Sequence, residues 1–188
     1  MLRPRYPILT ERLALRPFGE GDFADLHAMT GDADVVRYLY WDVHSEEDTR
    51  LALAKRITQG ELTREGEWLV LAMELDGRIV GQVVLKWTSI ESRQGEIGFV
   101  LRPEFQGKGY AREASEAVLR MGFEELGLHR IIGACDTRNE PSWQLMARLG
   151  MRREAHFIED EYFKGEFGDQ YIYAMLDREW AEIYSSSR

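Results

Sequence analysis

The chain has 188 residues, enough for one well-packed domain and short for two. Its 44% hydrophobic and 11% aromatic content excludes disordered and fibrous classes, and no run approaches the about 18 apolar residues of a membrane span. The net charge of −9 argues against nucleic acid as the main partner, because phosphate backbones recruit a lysine and arginine excess.

The same acidity is compatible with steering of a cationic or amine-bearing substrate, and equally with plain solubility. The N-terminal stretch MLRPRYPILTERL lacks an apolar signal core. A single cysteine, Cys135, permits no internal disulfide and fits a reducing compartment, so a cytoplasmic location is expected.

In chain order, TERLALRPF alternates Leu13 and Leu15 against Arg12 and Arg16 and predicts a first strand ending at Pro17. GEGDFADLHAMTGD places Phe23, Leu26 and Met29 at helical spacing behind an acidic start. SEEDTRLALAKRITQG predicts a second helix, with Ser45 as cap, Glu46, Glu47 and Asp48 in the first turn, and Gly60 closing it. Trp68 to Leu75 is rich in strand formers, Asp76-Gly77 reads as a hairpin turn, and RIVGQVVLKW continues as the next strand. QGEIGFVLRP is a further strand stopping at Pro103. A helix follows over about 107–126, then the strand RIIGACDT and a helix from near Pro141 to Gly150. Two closing strands fall around 151–163 and 168–176. The order β-α-α-β-β-β-α-β-α-β-β predicts one α/β (α+β) domain over residues 1–188. Its sheet should be mostly antiparallel, with helices on both faces and a late β-α-β unit.

The stretch QGKGYAREA carries the chemistry. It is not a Walker A loop, because Gly109 stands where a magnesium-binding hydroxyl belongs and Arg102 where the first glycine belongs. It fails the dinucleotide fingerprint at Arg112, which occupies the third small position. Two glycines flanking Lys108 nevertheless let consecutive amides face one concavity, and the following helix brings its positive end to the same point. A diphosphate fits such a loop, and a plain surface turn remains the alternative.

Gln106, Gly109 and Ala111, after a strand and before a long helix, form a Q-x-x-G-x-A pattern that resembles the acetyl-CoA signature of the GNAT N-acetyltransferases. Downstream, Asn139, Ser142, Arg148 and Gly150 are similar to that family's second marker, with Met151 where phenylalanine is usual. The opening LTERLALRPF and the pair Asp169 and Tyr173 resemble the branch that holds ribosomal-protein N-terminal (alanine/serine) acetyltransferases.

The resemblance implies direct acetyl transfer from acetyl-CoA to a primary amine through a ternary complex, with no metal. The diphosphate would sit on Gln106, Gly107, Lys108, Gly109, Tyr110 and Ala111. The pantetheine arm would pair with the backbone of Phe99, Val100 and Leu101 where two central parallel strands splay, with Asn139 as a further contact. The chemistry needs a neutral amine, a held oxyanion and a stabilised thiolate. Ser142 matches a position proposed to bond the thiolate, though a first-turn hydroxyl explains it too. Glu96, Glu161 and His156 are the candidates for the base, each with a structural alternative. Cys135 reads better as a buried apolar residue than as a nucleophile.

Tyr40 and Trp41, in a connection after a short helix, and Trp87 are candidate acceptor contacts, or core aromatics. The acceptor is expected to be a small-molecule amine or a protein N-terminus, and a homodimer is left open. A CoA-binding regulatory module without catalysis is the competing class.

Overall fold

Eight strands form one sheet in the computed structural model, which describes residues 1–184. They are β1 (Ile8–Leu9), β2 (Ala14–Pro17), β3 (Trp68–Leu75), β4 (Arg78–Ser89), β5 (Gln94–Leu101), β6 (Arg130–Asp136), β7 (Arg152–Phe163) and β8 (Glu166–Leu176). Their spatial order is β1-β2-β3-β4-β5-β6-β8-β7, and β5–β6 is the parallel pair among antiparallel ones. The helices are α1 (Phe23–Thr30), α2 (Ala33–Val36), α3 (Glu46–Ile57), α4 (Tyr110–Arg120), α5 (Glu140–Arg148) and α6 (Asp177–Tyr184). The mixed, mostly antiparallel sheet predicted from sequence is the one that forms. The single-domain expectation for 1–188 extends over 185–188, which lie outside the described residues.

Strand parity sorts the core into two layers. On one face Val83, Leu85, Trp87, Ile97 and Ile131 pack against Ala114, Val118 and Leu119 of α4. Val118 and Leu119 are fully buried, and each such side chain contributes about 1.5–3 kcal/mol. On the other face Val70, Ala72 and Val84 pack against Leu26 and Met29 of α1 and Leu53 of α3. A capping box starts α3, with the Ser45 hydroxyl accepting from the Asp48 amide while the Asp48 carboxylate accepts from the Ser45 amide.

The differences from expectation are local. Two-residue β1 and four-residue α2 are too short to show a period, and α6 follows directly on β8. The helix predicted from 107 begins at Tyr110 because Gly107 and Gly109 take φ of +73° and +85°. Its last turn, Met121–Glu125, widens into a π-helix. No helix of the described residues is long and apolar enough to cross a membrane.

Candidate active site

The site begins where two strands part. β5 and β6 share only three rungs, Gln94↔Arg130, Gly95↔Ile131 and Glu96↔Ile132. Beyond them β5 stays with β4 as far as Leu101↔Gly81, and β6 stays with β8 as far as Asp136↔Gln170. A wedge opens between them, flanked by Phe99, Val100 and Leu101. Backbone groups on an unpaired strand flank are a template for an extended ligand with amides of its own.

At the end of β5 lies the loop. The Gln106 side chain reaches back to donate to the Leu101 carbonyl at 3.2 Å, and its amide donates to Pro103 at 3.1 Å. The next main-chain amide with an acceptor among the described residues is that of Glu113, which donates to Gly109 at 3.0 Å. The amides between them are without an acceptor among the described residues and are gathered at the N-terminus of α4, on exposed Gly107, Lys108, Gly109 and Arg112 and half-buried Tyr110 and Ala111. A Cβ at Gly107 would meet nothing within 4 Å, so the concavity is unobstructed there. These groups fit a diphosphate. Lys108 is turned away from it, its ammonium donating to the Glu104 carbonyl at 2.9 Å.

On the far side of the wedge, Asn139 precedes α5 and its side chain makes no cap bond. Ser142, in the first turn, lies against Cys135 of β6. Burial outweighs the lowering effect of the Ser142 hydroxyl and holds the Cys135 thiol up at about 11. Cys135 is 8% exposed and has no basic partner, which agrees with a core residue rather than a nucleophile.

Opposite α4 and α5, Glu96 occupies the fork itself. Lys86, its cross-strand neighbour, holds its ammonium 4.8 Å over the Trp68 ring. The Glu96 carboxylate makes no hydrogen bond or ion pair within the described residues. Tyr40 faces it. Shielding of the Tyr40 hydroxyl, then Glu161 and Glu96, push that phenol up to about 12. The same hydroxyl accepts from Gln170 at 3.2 Å, and the ring packs on Phe163 at 5.8 Å. Tyr40, Glu161, Phe163 and Gln170, together with Tyr38, Asp136, Gly168 and Asp169, line a cavity of about 30 Å³.

Two expected members fall elsewhere. Trp87 is 9% exposed, and its register partner is Gly95, so it points into the α4 core rather than to the face of Glu96. His156 stacks edgewise on Tyr171 at 4.9 Å and pairs with Asp169 at 3.0 Å. Tyr171 points toward Trp143 of α5, while Asp169 lines the cavity beside Tyr40, so His156 meets that cavity only through Asp169. Trp41 lies 6.2 Å from His44, and its buried indole nitrogen has no acceptor among the described residues. A larger concavity of about 660 Å³ runs between the N-terminal segment and the outer side of α4, away from the fork. Arg12, not singled out from the sequence, touches the loop itself, and nothing in its local spacing announces that contact.

A parted parallel pair that runs into a loop of open amides at a helix start fits a ligand with a diphosphate and an extended arm. The family model described as an acetyltransferase (GNAT) domain matches residues 12–152. The chain is 35% identical over 173 residues to YnaD, an uncharacterized N-acetyltransferase of Bacillus subtilis (strain 168), covering 92% of this chain and 98% of that one. It is similar to the crystal structure of a GNAT-family acetyltransferase from Bacillus anthracis, with a TM-score of 0.81, 36% identity, and coverage of 95% and 99%. Its fold is also that of RimL, a ribosomal L7/L12 alpha-N-protein acetyltransferase solved with coenzyme A (TM-score 0.80, 21% identity, 92% and 98% covered). This chain belongs to the GNAT acetyltransferases and is an N-acetyltransferase.

Proposed function

We propose that the chain, as a single domain, moves the acetyl group of acetyl-CoA directly onto a primary amine in a ternary complex. The observation that carries this reading is one strand, β5, with the open amides beyond its end and an unpartnered carboxylate, Glu96, where β6 leaves it. The open loop amides from Gly107 to Ala111 hold the diphosphate, with Gln106 bracing the start of the loop, and the backbone of Phe99, Val100 and Leu101 receives the arm, with Asn139 opposite. A main-chain amide in the wedge polarises the carbonyl by donating to its oxygen.

Glu96 takes a proton from the bound ammonium, directly or through water, so that the neutral amine can attack the thioester carbon. The nitrogen–carbon bond forms and the carbon–sulfur bond breaks, the second amine proton goes to the departing thiolate, and Ser142 donates a hydrogen bond to that sulfur. Tyr40, Glu161 and Trp41 position the acceptor. Their surroundings suit an amine: carboxylates and aromatic rings with a phenol that stays protonated well above neutral pH. A cytoplasmic setting belongs to the same proposal and is supported by the buried, unpaired Cys135.

Free-thiol release from acetyl-CoA, followed with a panel of a peptide N-terminus, a polyamine, an aminoglycoside and an amino acid, tests the reading. At least one amine is expected to accelerate release. Tight CoA binding with no amine-dependent release overturns catalysis in favour of a CoA-binding module, and displacement of CoA by equimolar ATP overturns the ligand assignment.

A further inference from the structure

We propose that Arg12 is a positioning residue for the diphosphate loop, an inference that rests on the acetyl-CoA reading above. Its guanidinium donates through Nη1 to the Lys108 carbonyl at 2.9 Å. The peptide between Lys108 and Gly109 is planar and trans, so its C=O and N–H point in opposite directions. Holding the Lys108 oxygen toward Arg12 therefore turns the Gly109 amide the other way, into the concavity. One hydrogen bond on the outside of the loop sets the aim of a donor on the inside.

The rest of Arg12 is fixed so that this bond keeps its direction. Nε and Nη2 both reach Oε2 of Glu113 at 2.7 Å, and the Arg12 amide donates to Oε1 at 2.7 Å. The Thr10 hydroxyl donates to the same Oε1 at 2.5 Å. Glu113 stands in the first turn of α4, where the helix dipole favours a carboxylate. The guanidinium also lies 4.6 Å over the Tyr110 ring, and Nη2 would sit 3.3 Å from a Cβ at Gly109. The loop thus has a wall of guanidinium behind Lys108, Gly109 and Tyr110. Lys108 does not supply that wall, since its own ammonium is spent on Glu104.

With Glu113 neutralising it, Arg12 acts through geometry more than through charge. A planar fork fixes direction where an ammonium does not. The contact also ties the start of β2 to α4 across about a hundred residues of chain, which a purely structural role would explain as well. The two roles separate by the donor used. S-acetylpantetheine has the arm and the thioester but no diphosphate, so it does not use the loop.

The experiment measures CoA affinity by calorimetry, thermal midpoint, and turnover with both donors for wild type, Arg12→Ala, Arg12→Lys and Glu113→Gln. Arg12→Ala is expected to raise the CoA dissociation constant about tenfold, equivalent to 1.4 kcal/mol. Its kcat/KM should fall with acetyl-CoA and change less than twofold with S-acetylpantetheine. Arg12→Lys and Glu113→Gln should fall in the same direction by less, and they carry the test if the alanine variant does not fold. CoA affinity within twofold of wild type in the folded variants, or equal losses with both donors, overturns the inference and leaves the acetyltransferase reading standing. A wild-type chain that binds no CoA overturns both.

Discussion

Glu96 of β5 sits opposite Ile132 of β6, and theirs is the last rung the two strands share. The next residue, Ile97, is 3% exposed and packs in the core on the α4 side. The fork therefore places a carboxylate, without a hydrogen bond or ion pair among the described residues, beside the point where main-chain amides stop being paired. In the proposed reaction, a donor for the carbonyl and an acceptor for the amine proton would come from neighbouring positions on one rigid strand. Rigid strands hold such pairs more tightly than loops do.

The loop prediction uses Gly107. A Cβ there has nothing within 4 Å, and aspartate tolerates the left-handed region better than most residues. Gly107→Asp should therefore fold, with a cost of about 1–2 kcal/mol from its φ of +73°. Its charge would stand beside the bound diphosphate. Calorimetry should show CoA affinity lowered at least about tenfold. Unchanged affinity in a folded variant would remove the diphosphate from this loop.

Ser142→Ala isolates the leaving group. The hydroxyl lies against a sulfur already: it acts to lower the pKa of the Cys135 thiol, although burial outweighs it and keeps that thiol protonated. A sulfur departing into the same gap would be stabilised in the same way. kcat should drop several-fold while CoA affinity holds. A parallel fall in CoA binding would make Ser142 a binding residue instead, and no loss of rate would return it to helix packing.

Much of this architecture was legible because it rests on short-range physics. Asp76 and Gly77 take φ of +50° and +77°, the two-residue turn their identities announce, and Leu75 pairs with Arg78 across it. The amide loop was legible for a similar reason, as glycines alone reach its φ values cheaply. What escaped depends on register or distance. Trp87 and Lys86 are adjacent in sequence and face opposite sides, and only the pairing of Trp87 with Gly95 decides which side holds the acceptor. Arg12 and Lys108 meet because the segment before β2 is hydrogen-bonded to Glu113 of α4, and no local period encodes that meeting. His156 and Asp169 face each other across β7 and β8, where a bulge between Phe157 and Glu161 resets the register.

Acid stability should report on Arg16. Its guanidinium donates to both oxygens of Asp22, at 2.7 and 2.9 Å, and to Glu74 at 2.5 Å, tying β2 to the entry of α1 and to β3. Burial pushes the Asp22 carboxyl upward, but Arg16 and the Gly19 amide outweigh it and hold the carboxyl below its ordinary value. A depressed carboxylate contributes stability above its unfolded pKa of about 3.9 and loses it as pH falls through the lower folded value. Asp22→Asn should lower the thermal midpoint at pH 7. The gap from wild type should shrink as pH drops from about 5 toward 2. A gap that does not change with pH would assign the loss to packing alone.

The last prediction concerns the base. Glu96→Gln keeps the size of the side chain and its hydrogen bonding but removes its basicity. If Glu96 takes the amine proton, kcat/KM should fall by roughly 10²-fold, the usual scale for one general base. The deficit should shrink at high pH, where more of the amine is already neutral. The two competing groups give different signatures. Glu161 is engaged with Tyr40, so Glu161→Gln should act mainly on the KM of the acceptor and leave CoA affinity intact. His156 does not line the Tyr40 cavity and is engaged with Asp169, so His156→Ala should change kcat/KM little and in a way independent of pH. pH–rate profiles of the three variants with one good acceptor decide among them. A pH-dependent loss confined to His156→Ala would move the base to the hairpin. Parallel profiles for all three variants and wild type would mean that water takes the proton, with the pKa of the amine alone setting the rate.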